Sequence, residues 1–443
     1  MRRAHKILSP REERISPPRS APKPAAVKSA LLVVNAGEIA TMAGSDRPRR
    51  GGEMKDLGLV SDGAILSRDG RIVEVGDSRT MREKHADAAT VIDAGDRLVI
   101  PGFVDPHTHL VFAGSRENEL EMKLRGATYQ EIAASGGGLL STVSQTRAAS
   151  TDVLVAEAGR RLAGMLDEGT TTAEAKSGYA LDSDGELRIL AATETLGEQQ
   201  PVRLVSTFLG AHAVPPEFSG RADAYVDLLV SEILPLVARK TAARFCDVWI
   251  EEGYFTAEQA RRVLMQAKLL GLTPKVHADE LTSCGGAELA AEMEAISADH
   301  LIHVSDGGLE AMKNSGTIAV LLPAASMSSR LPYADARRII TSGVPVALGT
   351  DLNPGNWVES MQFVISLAVH KLRMEPAEAL TAATVNAAHA VNTAREVGSI
   401  EPGKTADLLI LDVPNHKHLG YRSGRNLVQV VIKAGKIVID RRR

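Results

Sequence analysis

Two histidines one residue apart, His107 and His109 in "VDPHTHLVFAGSREN", close an apolar run. In a β-strand residues i and i+2 face the same side, so both imidazoles point one way and can chelate one metal ion at about 2.0–2.1 Å each. A pair of hydrogen-bonded core histidines is the plain alternative for such a motif standing alone. It does not stand alone, because His277 in "KVHADE" and Asp351 in "LGTD" also end apolar runs. Three histidines and a carboxylate suit a divalent ion and leave a position for water. Glu280 lies three residues after His277, and His300 ends a further run in "SADH". Arg116 follows His109 by seven residues. Its guanidinium is a planar two-pronged donor matched to a carboxylate, either a ligand's or that of nearby Glu117 or Glu119.

These side chains need a frame. The apolar runs end at "GFVDPHTH", "GTTTAEAK", "VRLVSTFLGAH", "FCDVWIEEGYF", "TPKVHADE", "AISADHLIH", "IAVLLPAA" and "VPVALGTD", with helix-periodic stretches such as "AEQARRVLMQAKLLG" between them. Eight strand–helix alternations in about 290 residues predict a parallel (β/α)8 barrel, whose C-terminal strand ends form the active site. The metal-ligating candidates then fall at the ends of the first, fifth and eighth strands. An open doubly wound sheet is the fallback. Short β-branched runs broken by Gly-Asp or Asp-Gly fill the chain from Ala30 to about Leu98, and "KTADLLILDVP" and "LVQVVIKAGKIVID" repeat that character near the other end. The expected division is a basic leader over 1–28, a β-sandwich built from 29–98 and 396–443, and the barrel over 99–395. The glycine-rich "ASGGGLLSTV", 134–143, lacks the Gly-Lys-Ser/Thr of a phosphate cradle and reads as a mobile loop near the barrel mouth.

Composition sets bounds on partners. A formal net charge of −4 argues against nucleic acid or an anionic membrane, and no apolar run is long enough to span a bilayer. Aromatic residues make up only 3% of the chain, so Ala, Val, Leu and Ile must build the core. The two cysteines, Cys246 and Cys284, cannot make a disulfide framework, which points to a reducing cytosol. The leader "MRRAHKILSPREERISPPRSAPKPAAVK" is basic and proline-rich, lacks the apolar segment of a secretory signal, and reads as disordered.

The strings PGFVDPHTH, HADE, ADH and GTD resemble the amidohydrolase superfamily. The longer stretches "HLVFAGSRENELEMKLRG", "TTTAEAKSGY", "STFLGAHAVPPE" and "VHADE…GGAELAAE…SADHL" are similar to the imidazolonepropionase family, from about residue 30 to the C-terminus. That resemblance implies hydrolysis of the ring amide of 4-imidazolone-5-propanoate to N-formimidoyl-L-glutamate in histidine degradation. It implies one Zn or Fe ion per chain, held by His107, His109, His277 and Asp351, whose presence lowers the pKa of water. Glu280 and His300 would touch the water or the ring, with Glu280 shuttling the proton. Arg116 would bind the propionate carboxylate, and Tyr179 and His212 would hydrogen-bond ring atoms or the oxyanion. Asn353, Gly355 and Asn356 match ligand-contacting positions. Many members carry a small hydroxyl residue where this chain has Asn356 followed by bulky Trp357, although an asparagine can still donate a hydrogen bond there. Two-metal relatives place a carboxylated lysine at the end of the fourth strand. This chain has Glu251 and Glu252 there, so one ion is expected, and Lys176 on the second strand reads as structural. A cytosolic homodimer acting on a small molecule completes the expectation. The rivals are another mononuclear amidohydrolase, such as an aromatic-base deaminase, and a catalytically silent scaffold.

Overall fold

The β-branched runs near the start form strands joined by tight turns. In the computed structural model, which describes residues 30–44, 46–127, 131–132 and 135–442, these are β1 (Ala30–Ala40), β2 (Leu59–Arg68), β3 (Arg71–Asp77) and β4 (Thr90–Pro101). The leader over 1–28 lies outside the described residues. Asp69 and Gly70 link β2 to β3 with φ of 49° and 80°, the double positive φ of a two-residue hairpin whose twist matches its strands.

The barrel follows at once. Its strands are β5 (Phe103–Asp105), β6 (Thr170–Lys176), β7 (Arg203–Ala211), β8 (Phe245–Ile250), β9 (Thr273–Ala278), β10 (Ser297–His300), β11 (Ile318–Leu321) and β12 (Val346–Leu348). They form one eight-stranded sheet in sequential order with every neighbouring pair parallel. The first and last strands meet just beyond their ends, where Thr108 bridges Leu352 and the His109 amide donates to the Leu352 carbonyl at 2.9 Å. Closure therefore runs through the backbone that carries the metal-ligating candidates. The helices between strands bury the stripe their periodicity predicts. Over Ala257–Leu269, Thr256 caps the N-terminus and Ala260, Val263, Leu264 and Ala267 are the buried residues.

The chain returns to the first sheet with β13 (Leu408–Leu411), β14 (Val428–Lys433) and β15 (Lys436–Asp440), the last two joined by Ala434-Gly435 with φ of 47° and 71°. The order β15-β14-β13-β4-β1-β2-β3 makes a seven-stranded mixed sheet in which β4 pairs with β13 on one side and β1 on the other. β4 passes into the barrel through Gly102 alone. A Cβ there would lie 2.2 Å from the Thr171 hydroxyl of β6, so only glycine permits this close junction of sheet and barrel.

The expected mobile loop over 134–143 is corrected in its second half. From Gly138 the chain is already the helix Gly138–Ala148, because the Gly138 amide finds a side-chain acceptor, Glu119 Oε1 at 2.7 Å.

Candidate active site

Alternation along the strands builds the site in two tiers. On β8 and β9, Asp247 pairs in register with Lys275 and Trp249 with His277, and on β10 Asp299 sits beside His277. The lower tier is Glu174, Lys176, Asp247, Lys275 and Asp299, all buried completely. Lys176 Nζ reaches Asp247 at 2.7 Å, Glu174 at 2.9 Å and Asp299 at 3.6 Å. Burial alone would lower the pKa of this lysine, but the three carboxylates outweigh it and keep the ammonium charged. Lys176 is thus the counter-ion of the lower tier, which accounts for its structural reading.

The lower tier aims the upper one. His107 Nδ1 lies 2.6 Å from Asp299 Oδ2, and His277 Nδ1 lies 3.1 Å from Asp247 Oδ2. A carboxylate at Nδ1 fixes the ring so that Nε2 faces the cavity with its lone pair. There the atoms converge: His277 Nε2 to His109 Nε2 is 3.4 Å, His109 Nε2 to Asp351 Oδ1 is 3.4 Å, and His107 Nε2 to Asp351 Oδ1 is 3.6 Å. Ligand atoms at about 2.0–2.1 Å from one ion in a tetrahedron lie about 3.3–3.4 Å apart, and these three spacings come close to that. His107, His109 and Asp351 form one candidate metal-holding group and His107, His277 and His300 another. Two of the atoms, His107 Nε2 and Asp351 Oδ1, are buried and make no hydrogen bond among the described residues. Burial pushes His277 down to about 4 and His107 well below the usual imidazole range, leaving both rings neutral as ligands must be. Asp351 is raised by burial, but contact with His109 and the neighbouring imidazoles hold it below the ordinary carboxylate range. The donor set fits a metal.

Two of these strand-end residues have unusual backbones. Asp351 sits at φ 51° and His300 at φ 77°, left-handed conformations that cost a non-glycine residue energy and cluster at functional sites.

Around the quartet lies a cavity of about 610 Å³, open to solvent and lined by every sequence-predicted site residue except His107, which sits beneath it. Glu280 is pushed up by burial, and its Oε1 lies 3.6 Å from His300 Nδ1. Its loop is held by Glu251, which accepts the Leu281 amide at 2.7 Å and the Thr282 hydroxyl. The His212 ring stacks on His109 at 4.9 Å, and its Nδ1 donates to the Gly178 carbonyl at 3.0 Å. Burial pushes the His212 pKa well below the usual imidazole range, and with Nδ1 donating to Gly178 its Nε2 is left to accept a hydrogen bond. Tyr179 packs against His109 and His212.

At the other end of the cavity, Arg116 Nε and Nη2 donate to the two oxygens of Glu119 at 2.8 and 2.7 Å. The intramolecular pairing weighed from sequence is present, and Arg116 nonetheless lines the cavity. Asn353 spends its side chain inside its own loop, on the Asp351 carbonyl and the Gly355 amide, both at 2.8 Å. Asn356 donates to the Thr350 and Asp351 carbonyls, both at 2.9 Å, and accepts from Ser328. The hydrogen bond expected of Asn356 therefore goes to the backbone that presents Asp351. Trp357 points away from the cavity, edge-on to Phe112 at 5.5 Å. Asp247, Asp299, Glu119 and Glu251 escaped the sequence reading as positioning residues, and only the strand alternation that puts an aspartate near His107 and His277 hints at the first two.

Comparison with known proteins bears on this arrangement. Amidohydrolase family profiles match residues 271–438 and 90–151. The chain is 52% identical over 415 residues to an imidazolonepropionase of Symbiobacterium thermophilum, covering 93% of this chain and 97% of that protein. It is 50% identical to one of Geobacillus kaustophilus, covering 93% and 98%. Among solved structures it resembles a zinc-bound adenosine deaminase of Xanthomonas campestris, with a TM-score of 0.68 at 19% identity over 93% of each chain. It also resembles a guanine deaminase of E. coli, with a TM-score of 0.68 at 16% identity over 93% of this chain and 100% of that one. Those two likenesses show the fold alone.

Proposed function

The chain belongs to the imidazolonepropionase family, and from that premise we propose how its residues divide the hydrolysis of 4-imidazolone-5-propanoate to N-formimidoyl-L-glutamate. His107, His109, His277 and Asp351 hold one Zn or Fe ion. When bound, that ion supplies Lewis acidity at the ring carbonyl and lowers the pKa of water towards neutrality. The remaining work belongs to side chains. Glu280 takes a proton from the attacking water, whose oxygen bonds to the carbonyl carbon, and returns it to the ring nitrogen as the C–N bond breaks. Burial suits Glu280 to this, since it pushes the carboxyl pKa up and makes the carboxylate a stronger proton acceptor. His300, 3.6 Å away, holds Glu280 in place and contacts the water or ring. His212 accepts a hydrogen bond from a ring N–H, and Tyr179 packs beside the ring. Arg116, its planar group set by Glu119, binds the propionate carboxylate through the edge that faces Gly355 and the cavity. Asn353, Gly355 and Asn356 shape that end of the cavity.

The reading rests above all on one cavity lined by His109, His277 and Asp351, a partly buried carboxylate and a carboxylate-matching guanidinium, with His107 beneath it. An aromatic-base deaminase has no use for the last, and full-length relatives carry the hydrolase's name rather than a deaminase's. A cytosolic home is supported by two unpaired cysteines, and a homodimer is proposed from the superfamily resemblance.

The test is to compare the imidazolone propionate with the imidazolone lacking its carboxylate, on wild type and Arg116→Ala. Wild type should release N-formimidoyl-glutamate, and Arg116→Ala should lose about ten- to 150-fold in kcat/KM on the carboxylate substrate only. Equal loss on both substrates would place Arg116 in support of the fold rather than at the substrate.

A further inference from the structure

Arg116 and Glu119 form a two-pronged ion pair with side chains only 7% and 8% exposed. Glu119 is not free to leave, because its Oε1 also caps the helix that starts at Gly138. Burial would raise the Glu119 carboxyl, yet its bonds to Arg116 hold it below the usual range, so it stays ionised. The pair is therefore electroneutral, and a substrate carboxylate arriving at Arg116 meets a guanidinium whose charge is already balanced. A second cation faces the same space. Lys123 lies one turn beyond Glu119 on the helix Glu117–Leu124, which puts the two on one face. It lines the cavity with Arg116, and its ammonium makes no hydrogen bond or ion pair among the described residues. Burial first, then the Arg116 charge, pushes its pKa below the usual lysine range, and the Glu119 carboxylate, already bonded to Arg116, offsets this only in part. Lys123 also lines the adjoining outer cavity with Ile132, Leu281 and Arg330, so it stands where the two spaces meet.

We propose that Lys123 is the second cation of the carboxylate site: it makes that end of the cavity net positive and holds the substrate's carboxylate together with Arg116. This rests on the placement of the propionate beside Arg116. A half-buried ammonium whose neighbouring carboxylate is already committed to Arg116 gains from a ligand that supplies a further anion, whereas the neutral Arg116–Glu119 pair contributes direction more than charge.

The test uses the metal-loaded full chain and two unreactive ligands, imidazole propionate and its uncharged propionamide, measured by calorimetry beside kcat and KM for the substrate. Lys123→Met should weaken imidazole propionate and raise KM by about tenfold or more, leave the propionamide unchanged and alter kcat little. Lys123→Arg should restore most of the loss. The proposal is overturned if Lys123→Met leaves the binding of imidazole propionate unchanged, or weakens both ligands alike. Arg116→Ala separates the two layers of the inference. If it removes the preference for the propionate while Lys123→Met does not, the carboxylate placement stands and the role of Lys123 fails. If neither variant alters that preference, the placement fails and the proposal with it.

Discussion

Each ligand histidine that a carboxylate orients has one ring nitrogen committed and one available. His107 gives Nδ1 to Asp299 and His277 faces Asp247, which leaves both Nε2 atoms for the centre of the quartet. Glu280 differs, because its partly buried carboxyl lies 3.6 Å from His300 and is not one of the candidate metal ligands. That separates binding from chemistry at the level of single residues. Glu280→Gln keeps size and hydrogen bonding but cannot take a proton, so kcat should fall by about 10²–10⁴ with metal content unchanged. Steady-state rates beside elemental analysis check this. Unchanged kcat would move the proton to His300 or to solvent.

At the scale of elements, strand alternation decides which polar groups lie under the metal-ligating tier. His-x-His, HADE and GTD were legible in the sequence because period-two spacing at the end of an apolar run has few other uses. Asp247 and Asp299 were harder to see. An aspartate inside "FCDVWI" or "SADH" looks like one polar residue among apolar ones until the neighbouring strand brings a histidine beside it. Lys123 was illegible for the opposite reason, since a lysine on a charged helix is usually solvated, and only the cavity shows that this one is half-buried. The helix at Gly138 ran against local propensity, because Glu119 supplies from a distance the cap that the glycine-rich segment lacks. The orienting role can be measured. Asp299→Asn keeps shape but weakens the hold on His107, so metal affinity should fall by about ten- to 100-fold. Competition against a chelator of known affinity reads that change, and circular dichroism should stay the same. An unaltered affinity would mean that packing alone orients His107.

At the scale of the molecule, β4 belongs to the mixed sheet and β5 to the barrel, with only Gly102 between them. Both chain ends are tied to the sheet through β4, and the barrel between them closes through the backbone of His107, His109 and Asp351. The (β/α)8 order was legible because eight apolar runs alternate with helix-periodic stretches and nearly every run ends in chemistry-bearing residues. The way both ends converge on β4 was not, since pairing β1 to β4 to β13 spans most of the chain. The frame thus brings three candidate ligands, one partly buried carboxylate and one guanidinium to a single cavity with His107 beneath it, and the central claim is that one ion there activates hydrolysis of the imidazolone ring. The direct measurement strips the protein with a chelator and titrates Zn or Fe back while following N-formimidoyl-glutamate formation from imidazolone propionate. Activity should be absent in the stripped protein, rise with added ion and level off at about one ion per chain, the stoichiometry of a single three-histidine, one-carboxylate centre. Full turnover without metal, a plateau at two ions, or no product at any loading would contradict the account.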